Sequence, residues 1–277
     1  MKIGFAAQIF WDYQKLDLDY VINHAVNDLG FECVEILCQN PMFPGWCTNK
    51  VKKTKKEIRD ILSTLDVGVS LHAPYHDLNI ASWNIGVKNE AIKQVKTCIE
   101  VANYLESGIV VVHPGYVASR KYRRNKTFDM MMESFREITK TAEDLDVKLC
   151  MENIASKPKA MGVHIQEIKR MVEEVNSENF KLTLDVAHVN TTGLTPKEYI
   201  EGLREYIFHV HISDNTGGND HLPLGLGNID FEEFLGDLRP YKGFLIIEGW
   251  IPRNQDYFLK WDKMQLENII KKIGYNA

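Results

Sequence analysis

The sequence repeats one pattern eight times: a short run rich in Val, Ile and Leu is followed by a longer stretch of mixed polarity. The eight runs read KIGFAAQIF, CVEILC, GVSLHAPY, GIVVVHPG, VKLCMENI, FKLTLDVAH, IFHVHISD and GFLIIEGW. Stretches between them, such as 89–106 and 128–145, carry apolar residues at i, i+3, i+4 and i+7, the spacing of an amphipathic helix. Strands alternating with helices predict a parallel sheet, and eight of them predict one closed (β/α)8 barrel spanning residues 1–277.

Composition excludes several classes of protein. With 277 residues, 44% hydrophobic and 26% charged, the chain is long enough for one large barrel. It has neither a secretory leader pattern nor a window of eighteen apolar residues, so we expect a soluble cytoplasmic protein without a membrane partner. Five cysteines without a C-x-x-C pair favour reduced thiols over disulfides. The net charge of −5 gives no overall basic field, so any site for a polyanion must be local.

Most of the apolar runs end in a side chain that can bind a metal ion. The carboxyl ends of all strands in such a barrel meet at one mouth, so these side chains are expected to converge. Imidazoles with carboxylates and no thiolate suit Zn²⁺, with Mn²⁺ or Fe as alternatives, and the number of candidates implies two or three ions. The candidate ligands are His72, His113, Glu152, Asp185, His188, His211, His221 and Glu248.

The remaining histidines carry different expectations. His209 lies on the same strand as His211, and we expect it to face the surrounding helices and not to be a ligand. His76 follows the third strand, where simple exposure is favoured over a contact with substrate. His24 and His164 lie on predicted helices or their entries and are assigned no role.

Two loops are longer than a barrel requires, 39–49 after the second strand and 116–126 after the fourth. Loops that follow strands form the active face of such a barrel, so the extra length favours ligand binding. The second loop reads YVASRKYRRNK, and basic side chains around Tyr122 are suited to phosphate binding with aromatic stacking. Its basic residues are Arg120, Lys121, Arg123, Arg124 and Lys126. The charged run 50–59 is expected to be the solvated face of a helix.

Seven motifs taken together resemble the AP endonuclease family 2, the endonuclease IV group of the xylose-isomerase-like TIM barrel superfamily. These motifs extend from the third strand to the eighth, and the resemblance itself begins at the first strand. The motifs read HAPY, HPG, EN, LDVAH, HISD, DHLPLGLGNID and IIEG, and they begin at His72, His113, Glu152, Leu184, His211, Asp220 and Ile246.

The resemblance implies three zinc ions and a DNA-contacting residue. Tyr75 matches the aromatic side chain that these endonucleases press against the opened duplex. The aspartate of the family's D-x-H element falls at Asn219 here, and the neighbouring Asp220 is taken in its place. The implied ligand sets are His72, His113 and Glu152 for one ion, Glu152, Asp185, His211 and Glu248 for a second, and His188, His221 and Asp220 for a third.

Two departures from the endonuclease pattern resemble the sugar isomerases of the superfamily instead. The segment HAPYHDLN holds one residue more than the family's H-x-x-Y-x-x-N, which places Asn79 late. The loop QNPMFPGW lacks the arginine expected of a DNA wedge. These departures weaken the expectation of DNA more than the expectation of metal.

Two enzymatic functions therefore remain open. The first is a zinc-dependent phosphoric diester hydrolase acting on abasic-site DNA or another phosphate-bearing substrate, in which a metal-bound hydroxide attacks phosphorus. The second is an isomerase or epimerase of a small sugar or sugar phosphate, with one Mn²⁺ or Zn²⁺. Glu152 and Glu248 would be its catalytic pair, moving a proton beside a carbonyl, while His188 contacts a substrate hydroxyl. A binding protein without activity is a third, less favoured hypothesis, and the oligomeric state is left open.

Overall fold

Eight parallel strands close into a barrel in chain order, and β8 pairs with β1 to complete it. The computed structural model describes residues 1–10, 17–249 and 256–275. The predicted (β/α)8 barrel is thereby confirmed. The strands are β1 (Lys2–Ala6), β2 (Cys33–Leu37), β3 (Gly68–His72), β4 (Ile109–Val112), β5 (Lys148–Glu152), β6 (Phe180–Asp185), β7 (Ile207–Ile212) and β8 (Phe244–Ile247).

Helices follow the strands along the chain, with two of them between β6 and β7. A π-helical segment, His24–Asp28, continues the first helix. The helices are α1 (Leu18–Asn23), α2 (Val51–Leu62), α3 (Ile85–Tyr104), α4 (Arg124–Asp144), α5 (Ile165–Val175), α6 (Val186–Asn190), α7 (Pro196–Leu203), α8 (Phe231–Asp237) and α9 (Tyr257–Lys272).

The strands are largely apolar on both faces, as expected for strands that are buried on both faces. All four residues of β4 are buried, and so are all five of β2. One strand face packs in the barrel interior and the other against the helices, where α3 contributes buried side chains such as Val95 and Ile99. Each such side chain contributes about 1.5–3 kcal/mol when fully buried. The core therefore fixes the strand ends on which the polar side chains lie.

A pair of hydrogen bonds joins the ends of β5 and β6. The Oδ1 atom of Asn153 accepts the Asp185 backbone N–H at 2.8 Å, and the Asn153 Nδ2 atom donates to the Asp185 carbonyl at 3.0 Å. Asp185 is also the N-cap of α6, where its Oδ1 atom accepts the backbone N–H of His188 at 2.8 Å. The side chains of Glu152, Asp185 and His188 are consequently held in a fixed relation.

The loop after β7 is built around the buried carboxylate of Asp214. Its two oxygens accept the backbone N–H groups of Asn215, Gly225, Gly227 and Ile229 at 2.9–3.2 Å. A Cβ atom at Gly227 would lie 2.2 Å from the Asn215 carbonyl oxygen, so only glycine fits this close approach. This loop carries His221, and its backbone is thus anchored directly to the strand end.

The 39–49 loop packs against neighbouring segments of the barrel. In the 39–49 loop, Trp46 is buried and its Nε1 atom donates to Gln94 at 3.0 Å, while Gln39 accepts the backbone N–H groups of Tyr75 and His76. This loop therefore holds the backbone of Tyr75 in place.

All five cysteines are free thiols. No helix within the described ranges is both long and apolar enough to cross a membrane.

Candidate metal centre

Eight of the nine predicted ligands meet at the carboxyl ends of the strands. They form three overlapping groups, and within each group one ligand atom per residue lies within 4.8 Å of the others. Glu152 belongs to two of the groups, and so does Asp185. The groups are His72, His113 and Glu152; Glu152, Asp185, His211 and Glu248; and Asp185, His188 and His221.

The two oxygens of the Glu152 carboxylate face different groups. Its Oε2 atom lies 3.3 Å from His72 Nε2 and 3.0 Å from His113 Nε2. Its Oε1 atom lies 3.4 Å from the Nδ1 atoms of both His188 and His211. A carboxylate so placed can bridge two ions, one on each oxygen.

Three of the histidines have one ring nitrogen hydrogen-bonded to a group outside the ligand set, although His188 Nδ1 also lies near the carboxylates of Glu152 and Asp185. Hydrogen bonds join His72 Nδ1 to the Ala73 carbonyl at 2.8 Å and His188 Nδ1 to the Asn153 carbonyl at 2.9 Å. His221 Nδ1 pairs with the Ser213 hydroxyl at 2.9 Å. Such bonds set the ring orientation and leave Nε2 for a metal ion, which is the usual arrangement around protein-bound zinc.

Several buried polar atoms at the centre have no hydrogen-bond partner. They include Asp185 Oδ2 and both ring nitrogens of His211. Asp185 Oδ2 lies 3.2 Å from His188 Nδ1, and His211 Nδ1 lies 3.2 Å from Glu248 Oε2, but neither contact has the alignment of a hydrogen bond. Unpartnered buried polar atoms cost about 1–3 kcal/mol each, so their convergence fits a bound ion. The nitrogen and oxygen donors suit Zn²⁺ or Mn²⁺.

Charge at the centre shifts the pKa values of the ligands in opposite directions. Burial alone would raise the pKa of Glu152, but the charges of His211 and His113 hold it well below the usual range. Burial alone would lower the pKa of His188, but the carboxylates of Asp185 and Glu152 raise it to about 9. A divalent ion competes with the protons on these rings, so its binding must release protons.

The centre opens to solvent on one side. The His113 side chain is 27% exposed and Glu248 is 12% exposed, whereas Glu152 is only 2% exposed. Tyr75, predicted to contact substrate, stacks on His113 with ring centroids 4.3 Å apart. Beside these two rings lies a cavity of about 270 Å³ with Tyr116, Lys157 and Lys159 among its lining residues.

The prediction that His209 faces the helices is wrong. Residues i and i+2 of a strand lie on the same face, so His209 shares the barrel interior with His211 and does not face the helices. Its Nε2 atom lies 2.9 Å from Oε2 of Glu35, a residue that sequence reasoning missed. Glu35 is fully buried in the middle of β2, and a lone glutamate inside the run CVEILC was the sign that could have revealed it.

Asp220 is not brought to the centre. Asp220 and its neighbour Asn219 are both exposed, and neither belongs to any of the three groups. Asp185 occupies the corresponding place beside His188 and His221. The prediction of Asp220 as a ligand is therefore corrected: the loop turns its side chain outward, and the carboxylate for this group comes from the end of β6.

The basic loop is only partly available for substrate. Arg124 is held by two bonds to the Glu167 carboxylate, at 2.7 and 2.9 Å, and by one to the Ala160 carbonyl, which contradicts its predicted role in binding phosphate. Lys126 lies over the Trp83 ring, on which Tyr122 also stacks at 4.4 Å. The side chains that stay exposed without such contacts among the described residues are Arg120, Lys121 and Arg123.

The other three histidines belong to none of the ligand groups. His24 is placed between Asp28 and Asp256, at 2.6 and 2.7 Å, and both carboxylates raise its pKa. His164 is exposed at the start of α5 and makes no side-chain capping bond. His76 is exposed and pairs with Gln39.

Known proteins with similar sequences or structures include uncharacterised proteins, probable endonucleases and an epimerase-like protein. An uncharacterised protein of Methanocaldococcus jannaschii is 32% identical over 90% of this chain and 84% of its own length. A probable endonuclease 4 of Mycobacterium leprae is 27% identical over 73% of this chain and 79% of its own. A solved structure titled D-tagatose 3-epimerase-like protein is 29% identical, with a TM-score of 0.87 over 99% of this chain and 98% of that one.

The family assignment rests on most of the chain. Residues 24–269 match the AP endonuclease family 2, a match that extends from the π-helical segment to α9 and includes every strand from β2 to β8. The ligand-bearing strand ends all lie within this span. The chain therefore belongs to the AP endonuclease family 2, the xylose isomerase-like TIM barrels.

Proposed function

We propose that this protein is a metal-dependent phosphodiester hydrolase of the AP endonuclease type, with two or three zinc ions at the centre. The observation that carries the proposal is the position of Glu152, whose two oxygens face two separate sets of histidines. A site for a single ion needs only the four-residue group around His211. His72, His113 and His221 would then have no ion to bind.

The three groups support one set of ligands for each ion. His72 and His113 would share one ion with Glu152, while His188 and His221 would share another with Asp185. The group of Glu152, Asp185, His211 and Glu248 would hold the ion between them. Zinc ions held there supply Lewis acidity toward phosphate oxygens and lower the pKa of bound water.

The protein side chains contribute fixed positions and access. The bonds from Asn153 and Ala73 prevent rotation of His188 and His72, so the ligands need little rearrangement before reaction. The exposed faces of His113 and Glu248 are where a phosphodiester would approach. Tyr75 would stack on a sugar or base next to the phosphate, because its ring lies directly over His113.

Positive charge near the centre supports an anionic substrate. Arg120, Lys121 and Arg123 are exposed on the loop after β4. Lys157 is exposed on the loop after β5 and lines the cavity beside His113. In a protein with a net charge of −5, these exposed side chains could supply the local positive charge that binding of a nucleic acid backbone requires.

A sugar epimerase is the second candidate. Its support is the four-residue group, in which Glu152 and Glu248 both lie beside His211, at 3.4 and 3.2 Å from its Nδ1 atom. Two carboxylates at one ion are suited to removing a proton from one face of a carbon and returning it to the other. The similarity to the D-tagatose 3-epimerase-like structure points the same way. His72 and His113 are not needed for this reaction.

Metal content and activity together test the proposal. We expect two or three zinc ions per chain in protein purified without added metal, and chelator-sensitive nicking of a duplex that contains an abasic site. His72→Ala should lose at least one ion and the nicking activity, whereas His164→Ala, an exposed histidine outside the centre, should keep both. One ion per chain, with epimerisation of a ketose and no nicking, would replace the proposal by the second candidate.

A further inference from the structure

Glu35 is a charged side chain enclosed by the barrel interior. It is 0% exposed, and its Oε2 atom accepts the Ser70 hydroxyl at 2.9 Å and pairs with His209 Nε2 at 2.9 Å. Its Oε1 atom lies 3.1 Å from His211 Nε2. Burying a carboxylate without compensation costs several kcal/mol, so its presence on β2, facing two histidines of β7, requires an explanation.

The two ring nitrogens of His211 face carboxylates on opposite sides of the ring. Nδ1 lies 3.4 Å from Glu152 and 3.2 Å from Glu248, on the side of the metal centre. Nε2 faces Glu35, on the side of the barrel interior. A histidine that binds an ion through one nitrogen keeps a proton on the other, and a buried carboxylate is the strongest acceptor for that proton.

We infer that Glu35 is a positioning residue of the metal centre, which holds the Nε2–H of His211 and so presents Nδ1 to the ion bound by Glu152, Asp185 and Glu248. This inference rests on the proposed metal centre, although it requires only that the four-residue group binds an ion. Ser70 and His209 hold Glu35 in turn, since both contact its Oε2 atom and leave Oε1 for His211.

An additional ion between Glu35, His209 and His211 is the competing arrangement, because these three residues also offer ligand atoms within 4.8 Å of one another. It would require His211 to bind one ion through each nitrogen and therefore to lose both ring protons. The 2.9 Å separation of His209 Nε2 from Glu35 Oε2 is that of a hydrogen bond, and the 3.1 Å separation of His211 Nε2 from Glu35 Oε1 is within hydrogen-bond distance, although these two atoms lack the alignment of one. The geometry therefore favours a proton over an ion at this position.

The test compares zinc binding by the wild type and by Glu35→Gln, with a chromophoric chelator as competitor. We expect one ion per chain to bind about 10–100-fold more weakly in the variant, while the others keep their affinity. Glu178→Gln, at an exposed glutamate paired with Lys181, is the matched control and should bind as the wild type does. Ser70→Ala, which removes one of the contacts that hold Glu35, should weaken the same ion to a smaller extent.

Two further measurements separate positioning from simple support of the fold. In zinc-loaded wild type, nitrogen-15 spectra should show His211 protonated at Nε2, and in the cobalt-substituted protein the absorption bands should change on Glu35→Gln. Equal weakening of all ions, together with a lower unfolding midpoint of the metal-free variant, would overturn the inference. Unchanged affinity in Glu35→Gln or a His211 ring without its Nε2 proton would also overturn it. A wild type that binds no zinc would instead refute the proposed function.

Discussion

Replacement of Asp262 by Asn should change how the stability of the protein depends on pH. Asp262 lies on α9, is 0% exposed, and accepts the Leu224 backbone N–H at 2.7 Å through Oδ1, while its Oδ2 atom has no hydrogen-bond partner. Burial, with a contribution from the charge of Asp214, raises the pKa of Asp262 from 3.8 to about 7. Asn keeps the shape and the acceptor for Leu224 but cannot ionise.

The sign of the effect follows from the raised pKa. Between pH 4 and 7 the unfolded chain has released the Asp262 proton and the folded protein still holds it, so the stability due to this proton falls as pH rises. A difference of about three pKa units corresponds to about 4 kcal/mol in total, at ~1.4 kcal/mol per unit. Between pH 5 and pH 8 the wild type should lose about 2.5 kcal/mol that Asp262→Asn does not lose.

Urea unfolding of both metal-free proteins at four pH values from 5 to 8 measures this difference. Both proteins contain every other titrating group, so the difference between their pH dependences of unfolding free energy is due to Asp262. A pH-independent change in stability caused by the amide does not affect this difference. Asp66→Asn, at an exposed position, serves as the control and should follow the wild type. Parallel curves for the wild type and Asp262→Asn would show that the folded protein accommodates the ionised carboxylate, and the argument from burial would fail.

Four other outcomes are expected. Arg124→Ala should lower the free energy of unfolding by about 1 kcal/mol through loss of its contacts with Glu167, with little effect on DNA binding. Arg123→Ala should leave stability unchanged and reduce the salt dependence of DNA binding by about one phosphate contact, as measured by fluorescence anisotropy across salt concentrations. Gly227→Ala should cost about 2 kcal/mol or more, seen in thermal unfolding, because its Cβ would overlap the Asn215 carbonyl. Zinc at a thousandfold excess over its dissociation constant should raise the free energy of unfolding of the metal-free protein by about 4 kcal/mol. Zinc binding should also release protons, which calorimetry in buffers of different ionisation enthalpy detects.

The sequence could predict most of the centre because its residues follow a local rule. His72, Glu152 and Asp185 each end an apolar strand, and the barrel topology brings all such ends to one mouth. The rule needs only the order of elements along the chain. It therefore succeeded without any knowledge of loop conformation or of contacts between distant residues.

Predictions that depended on partners far along the chain were less successful. Glu35 and His211 are 176 positions apart, so only the closed barrel shows that β2 and β7 share one interior. The partner of Arg124 is Glu167, 43 residues away on another helix. Asp220 depended on the course of an irregular loop. His209 was different, because the period of two along a strand was sufficient to place it beside His211.

The three carboxylates of the ligand groups determine the net charge of the centre. Counting neutral histidine ligands with Glu152, Asp185 and Glu248, the ligands carry three negative charges. One divalent ion would leave a net charge of −1, two would give +1 and three would give +3. A centre with one ion would repel a phosphodiester and tolerate a neutral sugar, whereas a centre with three would attract the phosphodiester strongly. In this barrel the supply of zinc would select the class of substrate, without any change in the polypeptide.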